Sequence, residues 1–177
     1  MDEELIKKFQ QKGTGDILGD IRTLKMTSME KVLDLLDRIE YEYKYDAGPS
    51  YGTLTEMEVK YRYDMLLASL PDIPGLSDEE RAELEAKIQE KVRDIPRVEL
   101  ASINAFLKNE EAVDFAVNRI AAERGLSYDD AKKEFLSDAK SRVDRYNKMI
   151  EEQSQTPKDG KKPNDENDSH DESGDRE

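Results

Sequence analysis

The chain contains no cysteine and no tryptophan, and its only histidine is His170. Without cysteine it can form neither a disulfide bridge nor a thiolate metal site, and it has no cysteine nucleophile. A single histidine rules out a multi-histidine metal site and argues against histidine-dependent acid–base catalysis. We therefore expect no enzymatic activity and no catalytic, cofactor-binding or metal-binding residues.

Glycine-rich and acidic stretches do not change this expectation. In residues 12–19 the lysine precedes the glycines, whereas a phosphate-binding loop needs its lysine after the last glycine. The acidic run at 165–172 lacks the glycine and the final glutamate of a calcium loop. We interpret the first stretch as a connector and the second as solvated polypeptide, and we predict no cofactor.

Apolar residues are scarce, at 36% of the chain, and none occurs after residue 152. No segment approaches the roughly 20 apolar residues that a membrane span requires. The N-terminus also lacks the apolar core of a signal peptide. We expect a soluble protein that makes no membrane contact and is cytoplasmic or lies within a virus particle.

Charge and hydropathy together divide the chain into three parts. Residues 153–177 carry eight acidic and four basic side chains, and with no apolar residue they should form a disordered acidic tail. Residues 27–152 should form the main α-helical domain, and residues 1–26 should supply short helices and a connector. The net charge of −14 repels phosphate backbones, so protein partners are favoured over nucleic acid.

Helix-start signals recur along the main domain. A Ser/Thr-x-x-Glu/Asp pattern occurs at residues 27–30, 53–56, 77–80 and 127–130, each time before apolar residues at helical spacing. Proline or glycine near residues 48, 71, 96 and 125 should end the helices. We predict an all-α fold of about five to seven helices, arranged as a bundle or an elongated array.

The segment IEYEYKYD at residues 39–46 alternates tyrosine with charge, which is the rhythm of a strand. Ile39 and Tyr43 nevertheless continue a stripe of helical period, so we predict a helix with a second, exposed or half-exposed tyrosine pair. These tyrosines could contact a partner or seal the seam between two antiparallel helices. The candidate contact residues are Tyr41, Tyr45, Tyr51 and Tyr61.

The last predicted helix, from Ser127 to about residue 152, has the longest apolar stripe. Its neighbouring side chains are heavily charged, which is typical of a helix that packs against another helix along one seam. We interpret the stripe as an intermolecular contact. Its candidate residues are Phe135, Val143, Tyr146 and Ile150.

Residues 120–136 resemble the helix-turn-helix of many bacterial regulators. Gly125 would make the turn, Leu126 would fill the space between the two helices, and Ser127 would cap the second helix. The resemblance implies DNA binding, with Lys132 and Lys133 contacting phosphates. The acidic residues at 129 and 130 oppose this use.

The sequence thus favours a non-enzymatic α-helical interaction or assembly protein. It would act as an adaptor, a scaffold or a subunit of a larger complex, including a virus or phage assembly component, and would bind protein partners or further copies of itself. The alternative is a helix-turn-helix protein that recognises DNA, as a regulator or a packaging subunit.

Overall fold

The computed structural model of the chain describes residues 3–10, 12–45 and 54–155. Helices hold 83% of these residues, and no strand occurs among them, so the predicted all-α fold is confirmed. The described elements are α1 (Glu3–Gln10), α2 (Ile17–Arg22), α3 (Met29–Lys44), α4 (Glu56–Ser69), a 3₁₀ turn (Leu70–Asp72), α5 (Asp78–Leu107), α6 (Glu110–Arg124) and α7 (Tyr128–Gln155).

Polar side chains cap the helix starts much as the sequence predicts. At α5, Ser77 and Glu80 form the expected reciprocal capping box. At α4, the box joins Thr55 and Glu58, two residues later than predicted. Ser28 caps α3 by accepting a hydrogen bond from the amide of residue 31. The local chemistry therefore identifies the starting points of α3, α4 and α5 to within two residues.

Pro96 does not end a helix, contrary to the sequence prediction. Helix α5 is 30 residues long and continues past Pro96 to Leu107. Proline lacks an N–H and crowds the carbonyl four residues earlier, which belongs to Val92. Pro96 and Ile95 are both buried, so tertiary packing offsets this local cost. The expected break occurs instead at Asn109, whose side chain caps α6.

The main core lies among α2, α3, α4 and the first part of α5. Ile39, Leu66 and Ile88 have no exposed surface and come from three different helices. Ile17 and Ile21 of α2 belong to the same core, so α2 packs into the main domain. Helix α1 packs on α3 through a small apolar cluster.

Helices α6 and α7 form a helical hairpin at the far end of α5. The described part of α6 packs against α7 and α5 and against no other described helix. Its buried residues Val113 and Val117 meet Ala131 of α7 in a small cluster separate from the main core. The second half of α7 returns along α5 towards the body. We call α6 together with the first part of α7, residues 110–140, the hairpin arm.

The last helix extends three residues beyond the predicted start of the tail. Helix α7 continues to Gln155, and the side-chain oxygen of Gln153 accepts a hydrogen bond from Arg97 on α5. The predicted disorder of residues 156–177 lies outside the described residues.

Arg38 on α3 attaches the N-terminal segment to the body. Its guanidinium donates to the backbone carbonyl of Thr14 and, at 2.8 Å, to the carboxylate of Asp20 on α2. The hydroxyl of Thr14 donates to Glu42 at 2.6 Å. The Arg38 hydrogen bond, together with Lys25, holds the pKa of Asp20 below its ordinary value.

This anchor gives a prediction about acid stability. Because the folded-state pKa of Asp20 is depressed, its contribution to stability is present above the unfolded-state pKa of about 3.9 and is lost as pH falls through the folded value. The stability difference between wild type and Asp20→Asn should therefore shrink as the solution is acidified below about pH 4. Urea unfolding between neutral pH and the acid range would measure it.

Asp144→Asn is the matched control, since this exposed carboxylate has no ion pair within the described part of the chain. Its stability difference from wild type should vary less with pH. A constant difference between wild type and Asp20→Asn across the acid range would contradict the anchoring role of Asp20.

Candidate interaction surface

The tyrosine-rich region is mostly internal. Tyr41 is buried, with its ring centroid 5.5 Å from that of Phe9 and 6.2 Å from that of Tyr45. The predicted exposed or half-exposed pair is therefore wrong for Tyr41, because α1 covers it, while Tyr45 is half-buried. Tyr61 on α4 is exposed, and Tyr51 lies outside the described residues.

The apolar stripe of α7 faces α5 of the same chain. Tyr146 is 1% exposed, and Phe135, Val143 and Ile150 are half-buried. The ring of Phe135 lies 6.1 Å from that of Phe106 on α5. An intermolecular role for this stripe is therefore not supported, because its periodicity reflects packing within the chain.

A polar network joins α7 to the body beside this stripe. The hydroxyl of Tyr146 donates to Glu56 of α4 at 2.7 Å, and the guanidinium of Arg145 reaches the same carboxylate at 3.0 Å. The hydroxyl of Tyr43 on α3 donates to Glu99 of α5 at 2.8 Å. Burial and the bonded carboxylates raise the pKa of both tyrosines. Both hydroxyls therefore remain protonated and act as structural donors.

This network borders an open cleft of about 1170 Å³ between α3, α4, α5 and α7. Basic side chains line it, but each is paired: Arg145 with Glu56, Arg142 with Glu99, Lys44 with Glu40 and Lys60 with Asp64. The basic side chains that line the cleft in the described part of the chain are therefore paired within the protein.

The hairpin arm, in contrast, exposes large apolar side chains. Phe115 on α6 is 71% exposed, Leu136 on α7 is 45% exposed, and Tyr128 at the start of α7 is also exposed. Phe106, at the end of α5 beside the arm, is exposed too. These four are a majority of the seven large apolar residues exposed in the described part of the chain. Apolar exposure is thus concentrated at one end of the molecule.

A groove of about 560 Å³ runs along one face of the arm. Leu107, Val113 and Leu136 supply apolar walls, and Glu110 and Lys132 stand at the rim. The hydroxyl of Tyr128 donates to Asp114 across the turn end of the groove, which raises the pKa of the tyrosine. Apolar and charged side chains therefore line the groove together.

Both helices of the arm carry charged side chains without an ion-pair partner among the described residues. Helix α6 begins with Glu110 and Glu111, whereas α7 presents Lys132, Lys133 and Lys140. None of these five side chains forms an ion pair within the described part of the chain. Lys132 contacts only the ring face of residue 128. The arm therefore carries unpaired charges of both signs, and α7 also bears acidic side chains in this part, at Asp129, Asp130, Glu134 and Asp138.

The turn that resembles a helix-turn-helix has the expected geometry. Gly125 adopts the left-handed conformation with a φ of +66°, Leu126 is half-buried between the helices, and Ser127 caps α7. Between residues 110 and 136, however, seven acidic side chains oppose four basic ones. A left-handed glycine followed by a capping serine is typical of helical hairpins in general. The net negative charge of this hairpin repels phosphates.

No group of three or more histidine, cysteine or acidic side chains is placed to hold a metal ion within residues 3–10, 12–45 and 54–155. Across the same ranges no helix has the length and apolar character needed to cross a membrane. Comparison with protein-family models, curated proteins and solved structures finds no match.

Sequence reasoning missed Phe115 and Leu136 as candidate contact residues. Each lies next to a stripe residue but off the stripe: Phe115 is two residues from Val113, and Leu136 directly follows Phe135. On a helix such neighbours point away from the buried face. A search for large apolar residues outside the periodic stripe would have identified both.

Proposed function

We propose that the chain is a non-enzymatic α-helical assembly protein, an adaptor or complex subunit of the cell interior or of a virus particle, that binds protein through its hairpin arm. The observation that carries this proposal is the exposure of Phe115 and Leu136 on an arm that packs, among the described helices of the body, against α5 alone. Exposed apolar side chains of this size are costly in water and mark contact sites.

Recognition of DNA by the same hairpin is the weaker proposal. The first turn of α7, which would approach the phosphates, carries Asp129 and Asp130. Lys132 and Lys133 offset these charges only locally, and the hairpin as a whole is acidic. Affinity for DNA depends chiefly on phosphate neutralisation, so the charge balance favours a protein partner.

Site-specific photocross-linking in the native host tests the assembly proposal. A photoreactive amino acid placed at Phe115 or Leu136 should form covalent adducts with protein, including other copies of the chain, because these side chains would lie within a contact. The same probe at Lys87, exposed on the body part of α5, is the matched control and should react far less. Mass spectrometry of the adducts would identify the partner. Equal yields at all three positions would contradict the proposal.

A further inference from the structure

We propose that α6 is a lid that opens from α7 while the body of the protein stays folded, and that its closure forms the groove of the hairpin arm. The second part rests on the proposed function, because it makes the lid a regulator of the contact site. Glu110, Val113 and Asp114 of α6 line the groove together with Leu107 of α5 and Leu136 of α7. Since three helices build the groove, it exists only while α6 is docked.

A small apolar area holds α6 in place. Val113 and Val117 are the buried residues among its 15, whereas α3 buries six residues of its 16. The free energy gained by burial grows with the apolar area that is removed from water. Undocking of α6 therefore costs less free energy than unfolding of the body.

The polar links between α6 and α7 add little to this attachment. In the described part of the chain, the carboxylate of Asp114 accepts a hydrogen bond from Tyr128, and Arg124 pairs with Glu134. Both links are exposed, and exposed pairs contribute little to stability because water and salt screen them.

The lid and the body are built on separate cores. The cluster beneath the lid joins Val113 and Val117 to Ala131 of α7, and it shares no residue with the main core. Along α5 the main core extends to Val98, which is about 14 Å of helix short of Leu107 at the end. Regions that pack on separate cores can open independently of each other.

The connections of α6 permit the movement, and α7 has its own attachment to the body. Residues 108–109 connect α6 to α5, and the turn at Gly125 connects it to α7. Beyond its chain neighbours, a Cβ atom at Gly125 would meet no described atom within 4 Å, so packing does not restrain the turn. Helix α7 stays in place without the lid, because Tyr146 donates a hydrogen bond to Glu56 of α4.

Amide hydrogen exchange of the full chain, followed by mass spectrometry, tests the lid without any partner. After correction for intrinsic rates, amides of α6 should exchange about tenfold or more faster than those of α3 and α4, because opening of the lid releases them. Val117→Ala should speed exchange in α6 about tenfold further, since it removes apolar contacts that only the closed lid makes. Phe115→Ala is the matched control on the same helix. Phe115 is 71% exposed, so the rates of α6 should change little.

Leu66→Ala distinguishes a lid from unfolding of the whole chain. This change destabilises the body, so exchange in α3 and α4 should become about tenfold or more faster. The rates in α6 should stay the same, because the open and closed states of the lid lose the same contacts of Leu66. Equal rates in α6 and α3 of wild type would overturn the lid. A rise in α6 with Leu66→Ala as large as that in α4 would overturn it too.

Photocross-linking then tests the regulation of the contact site. Val117→Asp places a carboxylate in the apolar cluster and should hold the lid open, so adducts from a probe at residue 136 should fall about tenfold. Circular dichroism should show that the body keeps its helices. Unchanged adducts in this variant would overturn the role of closure. If wild type forms no adducts at all, the proposed function fails, while the exchange rates still decide whether the lid exists.

Discussion

Replacing Tyr146 by aspartate should destabilise the fold by about 4 kcal/mol, the magnitude expected for an unpaired buried charge. Tyr146 is 1% exposed and donates to the carboxylate of Glu56. The new carboxylate would be held near the carboxylates of Glu56 and Glu99, which repel it. The guanidinium of Arg145 can offset part of this repulsion, but it already donates a hydrogen bond to Glu56. Urea unfolding followed by circular dichroism would measure the loss.

Tyr146→Phe separates the lost hydrogen bond from the buried charge. This variant keeps the ring in the seam between α5 and α7 and removes only the hydroxyl, so it should cost about 2 kcal/mol, the range of a hydrogen bond to a charged group. An aspartate variant as stable as wild type would contradict burial of this side chain. It would also restore the interpretation of the α7 stripe as a surface between molecules.

Leu66→Ala should cost about 3 kcal/mol, the middle of the range for a large side chain truncated inside a close-packed core. Leu66 has no exposed surface and lies in the main core between α3 and α5. Truncation removes apolar contacts and leaves a cavity that the surrounding rigid helices fill only in part. The midpoint of urea unfolding should fall accordingly, with an unchanged slope.

Met57→Ala on the same helix is the control, because Met57 is 78% exposed. Its truncation should change stability by less than about 0.5 kcal/mol. Similar losses for the two variants would mean that α4 does not present Leu66 to the core, and the assignment of the main core would then be wrong.

Local chemistry explains why the helices could be predicted from the sequence. Ser77 followed by Glu80, and Asn109 before the glutamates of α6, satisfy backbone amides within a few residues, whatever the rest of the chain does. Pro96 shows the limit of such reasoning. Its local effect opposes a helix, but burial of Pro96 and Ile95 outweighs it, and that burial depends on distant helices.

The partners of each apolar stripe could not be predicted for a related reason. Periodicity shows that Phe135 and Tyr146 are covered, but it does not show by what, and here α5 of the same chain covers them. Likewise, Tyr41 looked exposed because nothing in its own helix indicates that α1 packs on it. The hairpin turn was predicted correctly because its backbone conformation is set by local residues, Gly125 at the end of α6 and Ser127 at the start of α7.

The separate cluster in the hairpin arm has a consequence for how this protein can change over generations. The cluster in the arm, which contains Val113, Val117 and Ala131, has no residue in common with the main core. Substitutions in the two clusters should therefore contribute nearly additively to stability. Changes in the arm are therefore not constrained by the packing of α2 to α4. Natural selection could alter the surface of the arm, which we propose as a contact site, while the rest of the molecule continues to fold as before.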